Sequence, residues 1–369
     1  MSEYFVVDAH AHVLPHLGSA AGFANAAEHV LYTQRAMHTH GAQPVRRARD
    51  HAVITAPTLW DPDDPTPRGR REVGFRAAEN GRFRWEVGGE DYYLQFMPPH
   101  LQTMEAPPEF MVAQMDYAGV DVAVLQNDHI YGALDEYFAD AIKRYPERFV
   151  GLAQVDEFRG YADDQLERLR RAAEQLGFRG LYFTTSTFFV TGYEPYYDDP
   201  VFDPLWAEVT RLGWPLFLTI GGHSPFGDFD AELRRLLGWY DRHPSQTTVL
   251  VHGLPDGHYL DAQGRFRPSD TLATLAREFP VYAELLFPIK WGGRWDYPYH
   301  HGLALVPHYR DLFGSERLLW GSDMPNVERY ATYRQTLTYL RDYPCGLDPA
   351  ELAGVLGGNA MRLLGIERA

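Results

Sequence analysis

The first residues whose types suggest chemistry are an aspartate and two histidines near the amino terminus. Asp8, His10 and His12 alternate with alanines directly after a short apolar run, residues 4–7. If this run is a strand, its two-residue period places the three polar side chains on one face. Two neutral imidazoles at a strand end supply half of a divalent metal site, and Asp8 would be a ligand or would orient one. The alternative is a group of buried histidines satisfied by hydrogen bonds, which is costly for three polar groups.

Two further polar residues follow apolar runs much later in the chain. His252 comes directly after residues 248–251, and Asp323 comes shortly after residues 318–320. Parallel strands end at the same edge, so these side chains would meet those of the first strand, where Asp323 suits a ligand or general base. Taken alone, His252 could be a histidine that only forms hydrogen bonds at the end of a strand, and Asp323 could be the N-cap of a following helix. Their order and spacing together favour one shared site.

The elements that would position these residues repeat along the sequence. Eight short apolar runs lie at 4–7, 120–125, 149–153, 180–183, 215–218, 248–251, 281–287 and 318–320. Amphipathic stretches of helical length lie between them, at 134–145, 164–176, 203–212, 231–241 and 269–279, and one follows the last run at 330–343. Strands that are apolar throughout are typical of a parallel sheet buried on both faces. The alternation predicts an α/β fold, a (β/α)8 TIM barrel with its site at the carboxyl ends of the strands.

One long segment breaks this alternation between the first and second predicted strands. Residues 28–108 exceed what a helix and two turns need, so they are predicted to be an insertion within a single domain, residues 1–369. Within the insertion, residues 82–87 and 92–97 flank two consecutive glycines and predict a β-hairpin. We interpret the insertion as a flap over the barrel mouth. The alternative is a packing element without a catalytic role.

Composition excludes several classes of protein. The 369 residues include 34 basic and 50 acidic side chains, which gives a formal net charge of -16. This charge repels phosphate backbones and anionic lipid surfaces, so it argues against nucleic acid and anionic membranes as partners. The single cysteine, Cys345, excludes an internal disulfide and a cysteine-built metal cluster. No apolar run approaches the ~18 residues of a membrane span, and the amino terminus lacks the pattern of an export signal. We therefore expect a cytoplasmic protein.

Several motifs carry a resemblance to a known family. They are Asp8-Ala-His-Ala-His-Val-Leu-Pro, then His252-Gly, then Gly321-Ser-Asp-Met-Pro, then Gly358-Asn-Ala-Met-Arg-Leu-Leu-Gly. Together with residues 109–125, these motifs resemble the amidohydrolase-2 branch of the amidohydrolase superfamily. That branch is typified by aminocarboxymuconate semialdehyde decarboxylase and the resorcylate-type aromatic acid decarboxylases. The resemblance implies a metal-bearing barrel that acts on a small molecule and is often assembled as a homodimer.

The resemblance also implies a role for each matching residue. His10 and His12 would be metal ligands, and Asp323 would be a ligand and a proton carrier. His252 would be a catalytic residue that polarises or protonates the substrate. One position departs from the pattern, because Thr219 stands at the end of the fifth strand, where the family usually has a metal-binding histidine.

The substitution at Thr219 leaves the metal site open to three interpretations, because a hydroxyl is a weak ligand for zinc-like ions. Either His223 reaches back from the glycine-containing loop that follows, or water fills the position, or the metal is weakly bound or absent. We expect a retained divalent metal, zinc or manganese, because His10, His12 and Asp323 still supply three ligands.

Two functions fit these residues. The leading hypothesis is a metal-dependent lyase that removes carbon dioxide from a small aromatic or unsaturated carboxylic acid without a redox cofactor. The alternative is a metal-dependent hydrolase of an ester, lactone or amide bond in a small cyclic substrate, which the same residues would serve. A third interpretation is a barrel that has lost its metal and only binds a ligand.

Substrate contacts are less well defined by the sequence. His223 and Trp291 are candidate substrate-binding residues. Five arginines of the insertion could hold a substrate carboxylate: Arg46, Arg47, Arg49, Arg82 and Arg84. Other polar or aromatic residues could line the mouth, with a scaffold role as the alternative: Asp128, His129, Tyr131, Glu284, Arg294 and Trp295.

Overall fold

A computed structural model describes residues 4–39, 41, 43–56, 58–221 and 225–368. Its strands are β1 (Val7–Ala11), β2 (Val45–Arg47), β3 (Val53–Ile54), β4 (Arg76–Ala77), β5 (Arg82–Val87), β6 (Glu90–Gln95), β7 (Val122–Leu125), β8 (Phe149–Gly151), β9 (Leu181–Thr184), β10 (Leu216–Thr219), β11 (Thr248–Leu250), β12 (Val281–Leu285) and β13 (Leu318–Trp320). Its α-helices are α1 (Ala26–Thr39), α2 (Pro108–Ala118), α3 (Asp135–Arg144), α4 (Asp163–Glu174), α5 (Asp203–Arg211), α6 (Phe229–Tyr240), α7 (Asp256–Tyr259), α8 (Asp270–Glu278), α9 (Phe287–Trp291), α10 (His300–Phe313), α11 (Tyr333–Arg341), α12 (Pro349–Ala353) and α13 (Asn359–Leu364).

Eight of these strands are parallel and follow one another in a ring. One ladder runs β1-β7-β8 and a second runs β9-β10-β11-β12-β13. Single parallel bridges join the two ladders, one between Ala153 and Leu181 and one between Ala11 and Met324. This order is that of the predicted (β/α)8 barrel, so the carboxyl ends of all eight strands open onto one face.

Side chains from alternate strand positions fill the inside of this ring. They form a buried cluster separate from the larger core between strands and helices, and they include Val7, Ala9, Val122, Val124, Val150, Leu152, Tyr182, Phe217, Val249 and Leu319. A lumen packed with branched and aromatic side chains is solid, as in other barrels of this type. The strand ends are therefore held rigidly, which is what a site with several converging side chains requires.

Most predicted elements agree with the observed ones, and the differences have local causes. The predicted strand 281–287 ends at Leu285, because Pro288 occupies the first turn of α9, where its fixed φ favours a helix start. The sequence did not predict α10, whose pattern is interrupted by Pro307. Among the helices of the described residues, none has both the length and the hydropathy that crossing a bilayer requires.

The insertion between β1 and α2 folds as a small sheet with one helix. Strands β3-β2-β6-β5-β4 are antiparallel neighbours in that order, and β5 and β6 form the predicted hairpin. Gly88 and Gly89 both have positive φ, 60° and 80°, which the tight hairpin turn requires. Phe83, Trp85 and Leu94 are buried and anchor one face of this sheet to the core.

The insertion packs against loops that follow the barrel strands. The ring of Phe96 lies 6.3 Å from that of Tyr131, in the loop after β7, and Tyr32 of α1 lies 4.9 Å from His129 in the same loop. Trp60 contacts Phe189, which follows β9, at 5.7 Å between ring centroids. Three aromatic side chains of the insertion thus contact the loops that follow β7 and β9.

Candidate active site

An irregularity in β1 decides which of its polar side chains reach the site. Pairing with β7 is regular at Val7 and Asp8 but shifts before Ala11, which is the pattern of a β-bulge. Asp8 accepts hydrogen bonds from Tyr333 of α11, at 2.7 Å, and from the backbone of Ser322, at 2.9 Å. The expectation that Asp8 shares a face with the two histidines is therefore wrong, because the bulge interrupts the two-residue alternation.

The two histidines of β1 converge with the aspartate that follows β13. His10 Nε2 lies 3.1 Å from His12 Nε2, and His12 Nε2 lies 3.0 Å from Asp323 Oδ1. The distance from His10 Nε2 to Asp323 Oδ1 is 3.8 Å. All three side chains are buried, with 1%, 4% and 6% of their residue surface exposed. Three potential ligand atoms thus face one small volume at the strand ends.

Hydrogen bonds on the far side of each ring fix its tautomer. His10 Nδ1 donates to Glu284 Oε2 at 2.9 Å, and His12 Nδ1 donates to the carbonyl of Gln126 at 2.8 Å. In its uncharged form, which a metal ligand must take, each ring turns an Nε2 lone pair toward the other ring and toward Asp323. A single proton can bridge only one of these contacts, so at least one pair of acceptors remains in repulsion. A divalent cation would satisfy all three, and the donor set suits one.

The backbone around the site is held in uncommon conformations. Asp323 and His252 have positive φ values of 62° and 63°, which non-glycine residues adopt rarely. The backbone N–H of Asp323 donates to the carbonyl of His10 at 2.8 Å, and that of His12 donates to Met324 at 2.8 Å. These bonds tie the loop after β13 to the end of β1, which brings the aspartate to the histidines.

Glu284 of β12 connects two histidines of the site. Besides His10, it accepts hydrogen bonds from the backbone of His252 at 2.8 Å and from Gln126 Nε2 at 2.7 Å. It is 1% exposed. The sequence placed Glu284 among residues that could line the mouth and did not single out Gln126, although its position directly after β7 was a signal. A carboxylate behind a ligand histidine orients the ring and increases its basicity.

The charges in the cluster set the protonation of its members. Burial opposes charge on His10, but Glu284 and Asp323 outweigh it and raise the pKa of His10 to about 8. Burial alone would raise the pKa of Asp323, yet hydrogen bonding with His12 and the charge of His10 hold it well below its ordinary range. Burial and the charge of His10 lower the pKa of His252 to about 4. At neutral pH, Asp323 is an anion and His252 an uncharged imidazole.

His252 lies against the cluster from the side of β11. Its ring centroid is 4.8 Å from that of His10, and the ligand atoms of His10, His252 and Asp323 all lie within 4.8 Å of one another. On the other side, Asn326 Nδ2 donates to Asp323 Oδ1 at 2.8 Å and to the hydroxyl of Tyr131 at 2.7 Å. His252 can therefore contact either a metal or a bound molecule, whereas Asn326 fixes the carboxylate.

Other residues that the sequence singled out lie around or outside this cluster. The Thr219 hydroxyl, at the end of β10, donates to the hydroxyl of Tyr182 at 3.1 Å. His223 lies outside the described residues, so its proposed role stays a prediction. The indole of Trp291 donates to Asp256 at 3.1 Å and stacks on Trp295 at 4.6 Å, and no described contact joins it to the histidines.

The arginines considered for a substrate carboxylate belong to the sheet of the insertion. Arg47 pairs with Asp50 at 2.7 Å, and Arg49 pairs with Glu90 at 2.9 Å. Arg82 donates to Gln95 at 2.9 Å. Arg46 and Arg84 lie in β2 and β5 of the same sheet. None of the five contacts the metal-binding candidates in the described part of the chain.

A second buried polar group lies beside the mouth. His129 Nδ1 is 3.2 Å from Glu157 Oε2, and the hydroxyl of Thr187 donates to the same oxygen at 3.0 Å. Glu157 is fully buried, and burial raises its pKa to about 7. The sequence indicated His129 but not Glu157, which follows β8 in a loop without a distinctive motif. This pair packs under α1 and does not touch the histidine cluster.

The fold is similar to those of known decarboxylases. The solved structure of a 2,6-dihydroxybenzoate decarboxylase with bound 2,6-dihydroxybenzoate has a TM-score of 0.52 and 18% identity, covering 69% of this chain and 87% of that one. The structure of a dihydroxybenzoic acid decarboxylase from Polaromonas sp. JS666, with bound manganese and the inhibitor 2-nitroresorcinol, has a TM-score of 0.50 and 16% identity. It covers 70% of this chain and 86% of that one. At these identities the likeness concerns the fold.

Sequence comparison gives a more specific result. The chain is 31% identical over 199 residues to a gamma-resorcylate decarboxylase from Rhodococcus jostii (strain RHA1), a match covering 45% of this chain. It spans 57% of the length of that relative. The model of a family described as amidohydrolase matches residues 7–366, which contain every residue of the histidine cluster. The chain therefore belongs to the amidohydrolase family.

Proposed function

We propose that this protein is a metal-dependent, non-oxidative decarboxylase of a small aromatic or unsaturated carboxylic acid. The observation that carries the proposal is the convergence of His10, His12 and Asp323, whose three acceptor atoms lie 3.0 to 3.8 Å apart. Similarity to a gamma-resorcylate decarboxylase supports the reaction class, and the manganese in a structurally similar decarboxylase supports a divalent metal. Manganese or zinc is the proposed ion.

The proposed reaction replaces a carboxylate by a proton at one carbon of the substrate. A divalent cation held by the three residues would polarise substrate oxygens and stabilise developing negative charge. Asp323 is the proposed proton carrier, because it is anionic at neutral pH and Asn326 fixes its Oδ1 at 2.8 Å. His252 is uncharged, so it can hydrogen-bond a substrate oxygen without adding positive charge to the cluster. Glu284 keeps His10 in the tautomer that presents Nε2.

The proposal extends to the assembly and to the insertion. We infer a homodimer in the cytoplasm, acting on a small molecule, in which residues 28–108 form a flap over the mouth of a single barrel domain. The family resemblance supports the dimer, and the contacts of Phe96 and Tyr32 with the loop after β7 support the flap. Light scattering on the purified protein would give its mass in solution, with twice 42.2 kDa expected.

The same residues would also serve a hydrolase, so the test must separate the two reactions. Protein reconstituted with Mn²⁺ is incubated with a panel of hydroxybenzoic and hydroxybenzene-dicarboxylic acids, each labelled with ¹³C in its carboxyl groups. We expect at least one acid of the panel to release labelled carbon dioxide, which only a decarboxylase forms. The same preparation is tested with dihydrocoumarin, a lactone. Ring opening of the lactone without carbon dioxide from any acid of the panel would support the hydrolase and reject the proposal.

A matched pair of variants ties the reaction to the site. Asp323→Asn should lower turnover by several orders of magnitude while the protein stays folded, because an amide does not carry a proton at neutral pH. Asp311→Asn, at a residue whose side chain is 66% exposed, should leave turnover unchanged. Near-native turnover in Asp323→Asn would remove this residue from the reaction.

A further inference from the structure

A buried arginine lies at the barrel mouth without an acidic partner. Arg35 of α1 is 8% exposed, and no carboxylate oxygen of the described residues lies within 4.0 Å of its guanidinium. The guanidinium lies over the rings of Trp60 and Phe189, at 5.2 and 5.5 Å from their centroids. By contrast, Arg168 is also largely covered but pairs with Asp135. Tyr193 hydrogen-bonds the guanidinium, and Asp64 acts on it only from beyond ion-pair distance. A buried cation without a carboxylate in contact is costly, so its environment is suited to an anion.

The guanidinium borders a small cavity that is lined by several hydroxyl groups and one carboxylate. The cavity measures about 20 Å³, and its walls include Arg35, Tyr32, Ser186, Thr187, Tyr193 and Asp128. A space of ~10–15 Å³ admits one water molecule, so this cavity admits one or two atoms of that size. A carboxylate brings fewer oxygens into so small a space than a sulfonate or a phosphate does. Arginine also matches a carboxylate with two parallel hydrogen bonds.

The cavity adjoins the histidine cluster through the loop after β7. Ile130 lines the cavity, and its chain neighbour Tyr131 lies against His12, with 4.6 Å between their ring centroids. Consecutive Cα atoms are about 3.8 Å apart, so one loop residue separates the cavity wall from a metal-binding candidate. The cavity and the histidine cluster thus lie beside the same short loop.

We propose that Arg35 binds a second carboxylate of the substrate, so that the substrate is a dicarboxylic acid. This inference rests on the proposed function, in which the first carboxylate is the one that is lost at the metal. The second carboxylate keeps its charge throughout the reaction and orients the ring. Trp60 and Phe189 hold the guanidinium in place before the substrate arrives, which reduces the entropy lost on binding.

Asp128 is the carboxylate that competes for this position. It lines the same cavity, and its Oδ1 accepts the backbone N–H of Ile130 at 3.0 Å. A charged Asp128 would repel an entering carboxylate. Asp128→Asn should therefore tighten the binding of a dicarboxylate, and weaker binding in this variant would show that Asp128 has a different role.

The test measures binding, not turnover. Calorimetry on the Mn²⁺-loaded protein compares benzoate with benzene-1,3-dicarboxylate and benzene-1,4-dicarboxylate. We expect at least one dicarboxylate to bind about 10-fold or more tightly than benzoate, as a charge-assisted hydrogen-bonded pair implies. Arg35→Met should abolish this preference, whereas Arg277→Met, at a residue whose side chain is 68% exposed, should keep it. A wild-type protein without the preference, or a preference that survives in Arg35→Met, would overturn the inference.

The experiment distinguishes loss of the arginine from misfolding, and failure of the binding site from failure of the proposed reaction. Methionine retains an apolar stem over Trp60 and Phe189, and if Arg35→Met does not fold, Arg35→Lys replaces it. Lysine keeps the charge but lacks the planar fork, so the preference should weaken, and an unchanged preference would contradict the inference. If no acid releases carbon dioxide but the dicarboxylate preference depends on Arg35, the proposed reaction fails and the binding site stands.

Discussion

At the scale of single residues, the site depends on which nitrogen of each histidine carries a proton. Glu284 and the carbonyl of Gln126 each accept from an Nδ1, so in the uncharged rings both Nε2 atoms are acceptors that face Asp323. The residue types and their order in the sequence predicted this meeting of His10, His12 and Asp323. The partners that set the tautomers come from β12 and from the end of β7, and only the fold shows that they stand behind these rings.

Thr219 provides the most informative substitution in the site. Restoring the family pattern with Thr219→His should add a ligand, and we expect the dissociation constant for Mn²⁺ to fall about 10-fold or more. Equilibrium dialysis measures this constant. Thr103→His, at an exposed position of the insertion, is the matched control and should leave the constant unchanged. Unaltered affinity in folded Thr219→His would mean that the end of β10 does not face the metal.

At the scale of elements, β1 shows where local pattern fails. The alternation of polar residues and alanines predicted one face for three side chains, but the bulge against β7 separates Asp8 from His10 and His12. A bulge arises from pairing with a strand more than a hundred residues away, so a local period does not reveal it. Asp8 instead accepts hydrogen bonds from Ser322 and from Tyr333, which fastens α11 to the barrel.

Removing one of these hydrogen bonds tests the structural role of Asp8. Tyr333→Phe should lower the free energy of unfolding by about 1–3 kcal/mol, because it leaves a buried carboxylate short of a donor. Urea denaturation measures the loss, and Tyr117→Phe, at a residue that is 68% exposed, should cause none. Metal content should not change in either variant. Loss of metal in folded Tyr333→Phe would place Asp8 in the metal site after all.

At the scale of the whole molecule, the sequence predicts the barrel more completely than the insertion. Eight apolar runs indicate eight buried parallel strands, because strands that are apolar throughout suit a sheet covered on both faces, and eight of them in alternation with helices is the number in a TIM barrel. Within the insertion, the sequence predicted only the hairpin, because β2 and β6 pair across more than forty residues. Arg35 was not recognised for the same reason: its rings, Trp60 and Phe189, come from distant parts of the chain.

The buried pair at the mouth should make global stability depend on pH. Burial raises the pKa of Glu157 from 4.5 to about 7, so the folded protein holds a proton there that the unfolded chain has released. Stability must then fall as pH rises through this interval. Relative to Glu157→Gln, the wild-type free energy of unfolding should decrease by about 1–3 kcal/mol between pH 5 and pH 8. A difference between the two proteins that stays constant over this range would contradict the assignment.

The proposed reaction depends on a divalent cation that is held by three acceptor atoms at the strand ends. The most direct test is the metal content of purified protein after dialysis against Mn²⁺, compared among wild type, His12→Ala and His308→Ala, the last at an exposed position. We predict about one ion per chain in wild type and His308→Ala. For His12→Ala we predict an affinity lowered at least about 10-fold. Wild-type protein without metal, or folded His12→Ala with unchanged affinity, would contradict the account.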